Sequence, residues 1–417
     1  MIYMDYNATT PVHPEVLEAF LPFYRESFGN PSSIHWAGRR VKAALEDARE
    51  KVARFLGCKP VEVIFTAGGT EADNMAIKGV ASAERGKGDH IITTRVEHPA
   101  VLNTCLYLEK EGYSVTWLEV DSAGQPDLAR LEACITDRTI LISAMYANNE
   151  TGTIFPVGEI GAIAARRRIP FHCDAVQAAG KVPIDFREMK VSLLAVSGHK
   201  LGAPQGIGAL VVRQGIKAHP LIHGGAQERN RRAGTENVAG IVALGKACEL
   251  AQASLGTESG RLAGLRDRLE NGILAQLPDV RINGDGGKRL PNTTNISFAG
   301  VEADSLLANL DLAGIAVSSG AACASGVPRT SHVLAAMGVE PGLAKGSIRF
   351  SLGRENSAAD VESLLALLPG IVERLRNADY EFRLEDKGLN NGRPGEKNKG
   401  SRRHERRGGF FGDRRSS

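Results

Sequence analysis

The sequence predicts an α/β protein, with a mostly parallel sheet in a large domain and a smaller α+β domain after it. Three observations lead there. Short apolar runs alternate with helical patterns along the first half of the chain, the order that a crossover-connected parallel sheet requires. An Ala-rich helical stretch from about Glu236 to Leu255 then reads as a connector. After it come RINGDG, TTNISFAG, a helix-and-strand stretch over 304–318, SIRFSLG and a helix over 358–377, enough for a second unit. With 417 residues, 42% of them hydrophobic, the chain can fill both cores. The expected divisions are an N-terminal segment 1–15, a large domain 16–255, a small domain 256–385 and a tail 386–417.

MDYNATTPVHPEV opens as an extended piece. Pro14 and Glu15 then start a helix to about Tyr24, since proline fits the first helical turn. FGNPSSIHWAGR is rich in turn formers yet carries His35, Trp36 and Arg39, too specific a composition for a plain linker. A helix follows from about Gly38 to Leu56 with Leu45, Val52 and Phe55 on its apolar side. The strand candidates are VEVIFTAG, HIITTRVE, SVTWLEV, TILISAMYA, IPFHCDAVQ, LLAVSG and IGALVVR. There is no internal repeat, and no GxGxxG fingerprint of a dinucleotide fold.

Charged residues make up 24% of the chain and the net charge is +3, ordinary values for a soluble protein. The start, MIYMDYNATT, lacks the basic and apolar regions of a signal peptide, and no apolar run reads as long enough to span a bilayer. A cytoplasmic protein without a membrane partner is expected. The six cysteines show no CxxC pairing or metal-ligand spacing. Cys58, Cys105, Cys134, Cys173 and Cys248 sit in helical or strand patterns and read as small hydrophobes. From Lys387 to Ser417 ten Lys/Arg face three Asp/Glu, a local +7 that leaves residues 1–386 at −4. That Gly/Arg-rich tail reads as disordered: either a solubilising extension or, with Phe410 and Phe411, a contact for RNA or an acidic partner.

The chemistry centres on VSLLAVSGHKLGAPQGIGALVVR, two buried-strand patterns flanking a small-residue turn that holds Lys200. A partly desolvated lysine at a strand exit keeps more free amine, the form that adds to an aldehyde. By itself, Lys200 reads as a strand–loop edge lysine, and only the rest of the chain overturns that. Four other stretches sit at strand ends, where α/β sheets present ligands. Phe65–Glu71 (FTAGGTE) ends a strand and opens a helix, so Gly69 and Thr70 suit either a phosphate at a helix N-terminus or a simple capped turn. His98, before Pro99, is either a capping or core histidine or one that stacks on a ring and moves protons. Asn148–Gly152 (NNETG) closes another strand with hydrogen-bonding side chains. His172–Gln177 (HCDAVQ) ends in Asp174, a carboxylate that needs a cationic partner such as a protonated pyridine nitrogen. An imine-forming lysine, a phosphate cradle, an acid for a ring nitrogen and amides for a ring oxygen together describe a pyridoxal 5'-phosphate (PLP) site.

These residues resemble a known family. MDYNATTPV, FGNPSSIH, TAGGTEADN, EHPAV, NNETG, HCDAVQ, SGHKLGAPQGIGAL, RRAGTEN, SSGAACASG and SIRFSLG occur in the order found in NifS/IscS-type cysteine desulfurases, PLP enzymes of the class V aminotransferase group with the type I fold. The resemblance spans residues 1 to about 355, and the helix to about 377 fits it. It implies that Lys200 binds the cofactor covalently, that His98 stacks on its ring and that Asp174 partners the ring nitrogen. Asn149 and Gln177 would lie near the ring oxygen, and Asn149 near the substrate as well. Gly69, Thr70, Ser197 and His199 would hold the phosphate, with Thr235 supplied by the partner subunit of a homodimer. Arg349 would clamp the carboxylate of L-cysteine in a bidentate pair, although alone it reads as a strand-edge surface arginine.

Cys323 lies in SSGAACASG, a run of small residues with little to pack against, and so reads as exposed on a mobile loop. In the family this thiolate takes sulfur from cysteine as a persulfide, leaving L-alanine, and passes it to acceptors for iron–sulfur assembly or tRNA thiolation. The resemblance also admits Cys323 as a transient iron–sulfur ligand. Ala321 and Ala324 stand where the family usually has serine and threonine, and neither is expected to do chemistry. Selenocysteine cleavage or another class V PLP reaction fits Lys200 and Asp174 equally well. An inactive sulfur-carrier relative is the non-enzymatic alternative, and the intact set of Lys200, His98, Asp174, Arg349 and Cys323 speaks against it.

Overall fold

The seven apolar runs all become strands of one sheet. The computed structural model describes residues 1–319 and 331–386, with side chains to residue 378. From one edge the strands run Val63–Thr66, Gly208–Val212, Leu193–Ser197, Phe171–Asp174, Thr139–Met145, His90–Thr94 and Ser114–Leu118. The last five are mutually parallel. All but the edge strand Ser114–Leu118 are buried throughout, which is why they read as continuous apolar runs rather than alternating ones. Gly208–Val212 runs antiparallel to both its neighbours. The stretch between Ser197 and Gly208 is too short for a helical crossover, which takes about a dozen residues or more, so the chain must return antiparallel. Lys200 rides on that return.

Helices Gly69–Glu84 and Pro99–Lys110 cover one face, burying Met75, Val80, Val101 and Leu108 against Ile91, Leu141, Leu193 and Leu210. Helices Trp36–Leu56, Val157–Arg167 and the first part of Val238–Gln276 cover the other. A separate three-stranded antiparallel sheet, Ser347–Ser351, Thr293–Phe298 and Val280–Asn283, packs Ile296, Phe298, Ile348 and Phe350 against helices 303–312 and 358–386. The N-terminal strand Ile2–Tyr3 pairs in parallel with Ile315–Ala316. Residues Met1–Arg376 form one compact unit; from Asn377 a second begins, whose described part is the end of helix Ala358–Asp386. Cys323, its loop and the tail beyond Asp386 lie outside the described residues.

Three boundaries differ from expectation. The first helix stops at Phe20 and a short turn, Pro22–Arg25, follows, because Pro22 has no N–H to continue the ladder. The final helix runs on to Asp386 rather than 377. The connector helix is Val238–Gln276, 39 residues instead of ending near Leu255. Gly256, Gly260 and Gly264 follow Leu255, yet each faces open space, and a glycine costs an exposed helix only about 1 kcal/mol. Packing at both ends outweighs that cost. Ile241, Leu244 and Cys248 join the large core, and Leu269 and Ile273 the small one.

This helix also corrects the expectation of no bilayer-length apolar run. One 18-residue window has a mean hydropathy of 1.3, so by length and composition it could cross a membrane. Its apolar side is instead spent on the two cores just described.

A buried ion pair ties the sheet edge to the loop after Gly208–Val212. Arg49 Nη1 and Nη2 each reach Glu228 at 2.8 Å, and Phe65 N donates to the same carboxylate at 3.1 Å, with both side chains only 3% exposed. Glu228 has φ 46°, the left-handed region, and is held there by these bonds. Arg49→Met should therefore cost about 3–5 kcal/mol, because it strands a buried carboxylate. Urea unfolding of the two proteins checks this; a loss below about 1 kcal/mol would mean that water reaches Glu228.

Candidate active site

The parallel register aligns three strand ends: Met145 beside Asp174, and Asp174 beside Ala195. The loops leaving those ends bring in Asn149, Gln177 and Lys200, while His98 follows the strand His90–Thr94. The sequence-predicted residues thus converge at the carboxyl end of the sheet.

Lys200 is half-buried on a 3-10 turn, Gly198–Lys200. Its Nζ donates to the backbone carbonyls of Asn7 and, at 2.6 Å, Ala8. Burial brings the amine down to about 8, with the Arg349 guanidinium acting the same way and Asp5 and Asp174 opposing. Much more free amine is present than on a surface lysine. Asp174 is buried, and its Oδ1 accepts from Val176 N at 2.9 Å. Burial pushes its carboxyl up, while His98, the Val176 N–H and Lys200 pull it down. A cationic ring nitrogen is the partner this carboxylate lacks.

His98 answers both of its sequence readings. Its Nδ1 accepts from Ala100 N at 3.1 Å and so caps helix Pro99–Lys110, which leaves Nε2 as the protonated nitrogen of the neutral ring. Burial lowers its pKa, and Asp174 is the main opposing influence, so the ring and that carboxylate sense each other.

The stretch read as a phosphate cradle or a capped turn opens helix Gly69–Glu84. Gly68 has φ 153°, in the region that favours glycine. A Cβ on Gly69 would meet Val176 Cγ2 at 2.7 Å and Ser197 Cβ at 3.5 Å, which places Ser197 against the cradle. Gly208 closes up behind, where a Cβ would lie 2.7 Å from Gly68 Cα. Thr70 is exposed at the helix start. His199 bonds Thr9 Oγ1 through Nδ1 at 3.1 Å; burial, then the Lys200 and Lys181 amines, bring it down to about 4. At neutral pH His199 therefore offers an N–H but no charge. Thr235 is exposed, and in the same motif Arg232 pairs with Glu71 at 2.9 Å, one residue beyond Thr70.

Arg349 is 5% exposed, with Nη2 on Asp5 Oδ1 at 2.7 Å and Nη1 on the Asn149 carbonyl at 2.9 Å. Its Nε is buried without a partner among the described residues, a donor waiting for an anion. Arg349→Lys keeps the charge but loses the planar fork, and should raise KM for a carboxylate substrate about 10- to 100-fold. Steady-state kinetics check this; an unchanged KM would remove Arg349 from substrate binding.

Several residues here had no role in the sequence reading. Asn7, in MDYN, takes Lys200 and Gln177 on its carbonyl, and its side chain bonds Thr293 at 2.9 Å and Lys181 at 3.2 Å. Asp5 holds Arg349. Glu97, beside His98, is fully buried, and burial lifts it to about 8 against bonds from Thr94 Oγ1 at 2.7 Å and Met145 N at 3.1 Å. Lys181 sits four residues past Gln177, the one spacing that could have drawn notice. A cavity of about 510 Å³ adjoins Lys200 and Lys181 and is lined also by Tyr6, His13, Leu250 and Leu262. Among the described residues no His, Cys, Asp and Glu cluster could hold a metal ion, and Cys323 falls outside them.

These groups fit PLP: a cradle that a Cβ would fill, an amine at about 8 and a buried carboxylate that makes no ion pair among the described residues. Residues 2–364 match the aminotransferase class-V family. The chain is 49% identical over 393 residues to the cysteine desulfurase IscS of Clostridium botulinum, covering 93% of this chain and 99% of that one. It is 52% identical over 376 residues to a Nostoc cysteine desulfurase, with 90% and 94% covered. Among solved structures, a NifS-like protein superposes with a TM-score of 0.85 at 39% identity, over 89% of this chain and 99% of that one. The apo cysteine desulfurase of Thermococcus onnurineus gives 0.80 at 26% identity, with 89% and 95% covered. The chain belongs to the aminotransferase class-V family, among its PLP-dependent cysteine desulfurases with the type I fold.

Proposed function

We propose that Lys200, Asp174, His98 and Arg349 form the desulfurase centre, with sulfur leaving L-cysteine as a persulfide on Cys323 and the carbon skeleton leaving as L-alanine. The observation that carries this is Lys200, an amine at about 8 seated on the Asn7 and Ala8 carbonyls and close enough to sense the charges of Asp174 and Arg349. Bound PLP supplies an electron sink for bond breaking at the substrate's α-carbon. Asp174 balances a protonated ring nitrogen, and His98 covers the ring with its free Nε2–H. Gln177 and Asn149 meet the ring oxygen. Gly69, Thr70, Ser197 and His199 bind the phosphate through N–H and O–H groups. Arg349 orients the substrate carboxylate, and Lys200 holds or moves the α-proton.

The test is spectroscopic first. Apo-protein mixed with PLP should turn yellow at a rate that rises about tenfold per pH unit up to about pH 8, then levels off as Lys200 becomes free amine. L-Cysteine should then release sulfide in the presence of a thiol. A rate still climbing at pH 10 would mean that the reacting amine is an ordinary one.

The active assembly is read as a homodimer in which Thr235 completes the partner's phosphate site. Supporting this, Tyr24, Phe28, Ile34 and Trp36 are 67%, 80%, 90% and 69% exposed, a run of large apolar side chains that water alone would not favour. Sedimentation of a monomer that retains PLP would contradict it. A cytoplasmic setting, domain divisions at about 15, 255 and 385, and acceptors in iron–sulfur assembly or tRNA thiolation complete the proposal. The basic tail is read first as a solubilising extension, with contact to RNA or an acidic partner as the alternative, and comparing RNA binding of the full chain with that of a chain ending at residue 386 decides between them.

A further inference from the structure

Lys181 is a lysine where the fold gives no reason for one. It is only 9% exposed, and its Nζ touches two neutral oxygens, Gln177 Oε1 at 2.9 Å and Asn7 Oδ1 at 3.2 Å. No carboxylate pairs with it among the described residues, and the charged groups that act on it, Lys200 and Arg349, are both cationic. Burial, helped by those two, holds the amine well below its usual range. Without a carboxylate beside it among the described residues, the amine makes no ion pair, and its value lies in its hydrogen bonds. A methionine or leucine would fill the same space without the cost of desolvation.

Those bonds decide which way the Gln177 amide faces. The Asn7 carbonyl can only accept, and Gln177 Nε2 lies 2.9 Å from it. Oε1 must then point the other way, where Lys181 Nζ meets it. The same Asn7 carbonyl also receives Lys200 Nζ, so the amide and the reactive amine share one seat.

We propose that Lys181 is a positioning residue that locks the Gln177 amide with its N–H groups, not its oxygen, presented to the cofactor's ring oxygen. This rests on the reading that Gln177 meets that oxygen. An N–H there favours the oxygen's anionic form, so losing the donor lets the bound cofactor hold its proton to higher pH. Lys181 also lines the cavity beside Lys200, and removing its amine opens that wall.

The experiment follows the visible absorbance of bound PLP against pH, together with the melting temperature. Lys181→Met and Gln177→Leu should each raise the absorbance midpoint by about one pH unit, and the double variant should add nothing further. A lowered melting temperature with a wild-type midpoint in Lys181→Met would overturn the positioning role and leave the Gln177 reading standing. A wild-type midpoint in Gln177→Leu would instead overturn the reading beneath it. If Lys181→Met does not fold, Gln177→Glu decides. Its carboxylate keeps the bond to Lys181 but has no N–H, so the midpoint should rise in a folded protein. An unchanged midpoint there means that the oxygen already faced the ring, and the proposal falls.

Discussion

Lys200→Ala should leave a folded protein without the yellow cofactor linkage and with desulfurase activity down by at least about 10³-fold. Folding should survive because the ammonium contributes only two bonds to backbone carbonyls, those of Asn7 and Ala8, at a half-buried site. Activity should not, because among the described residues no other amine combines access with a lowered pKa in the same place. Lys181 is the informative control. It lies close by and burial lowers it too, yet it is turned onto Gln177 and Asn7 rather than toward the strand ends. Borohydride reduction followed by peptide mapping should put PLP on Lys200 in the wild type and on no lysine in Lys200→Ala. Recovery of the adduct on Lys181 would sink the assignment.

Cys323→Ser should separate cofactor chemistry from sulfur capture. The variant should bind PLP and change its spectrum with L-cysteine, since Lys200, Asp174 and Arg349 are untouched. Sulfide release should fall by at least about 10³-fold, because a hydroxyl is a far weaker nucleophile toward sulfur than a thiolate. The other cysteines cannot substitute. Cys58, Cys105, Cys173 and Cys248 are buried. Burial pushes the Cys58 and Cys105 thiols to about 12 and raises those of Cys173 and Cys248 too, so none supplies thiolate at neutral pH. Cys134 is only half-buried, which makes it the control to watch. After one turnover with heavy-sulfur cysteine, mass spectrometry should find the label on Cys323. Label on Cys134, or full activity in Cys323→Ser, would end the mechanism.

The parallel sheet was legible because buried strands bounded by turns leave continuous apolar runs, and TILISAM or LLAVS admit few other readings. Direction was not legible in composition; Gly208–Val212 runs antiparallel because of the length of its connection, not its residues. Lys200, His98 and Asp174 stood out because each is a chemical residue at a strand end. Asn7 and Lys181 did not. Asn7 acts mostly through its backbone carbonyl, which every residue has, and its side chain meets Thr293 from 286 positions away. Lys181 looked like one more lysine because nothing local marks an amine for burial. The length of the connector helix was missed for a related reason. Its glycines are a local stop signal, and two distant cores override it.

The way the first residues thread between the two sheets also sets an order in time. Asn7 N donates to Ser351 Oγ at 3.0 Å, and Ile2–Tyr3 pairs with a strand at 315–316. A chain leaving the ribosome carries its N-terminus out first, but the seat of Lys200 needs residues made 344 positions later. At about 5–20 residues per second that is a wait of roughly 20–70 s, during which the segment 1–9 can meet Gln177, His199 and Lys200 but lacks Ser351 and the strand at 315–316. Lys200 can be in place while its clasp is still open. Nascent chains stalled before residue 351 should therefore hold the large sheet yet fail to retain PLP, and the apo-protein is then an obligatory stage of synthesis, which ends only when the last strand of the small sheet arrives.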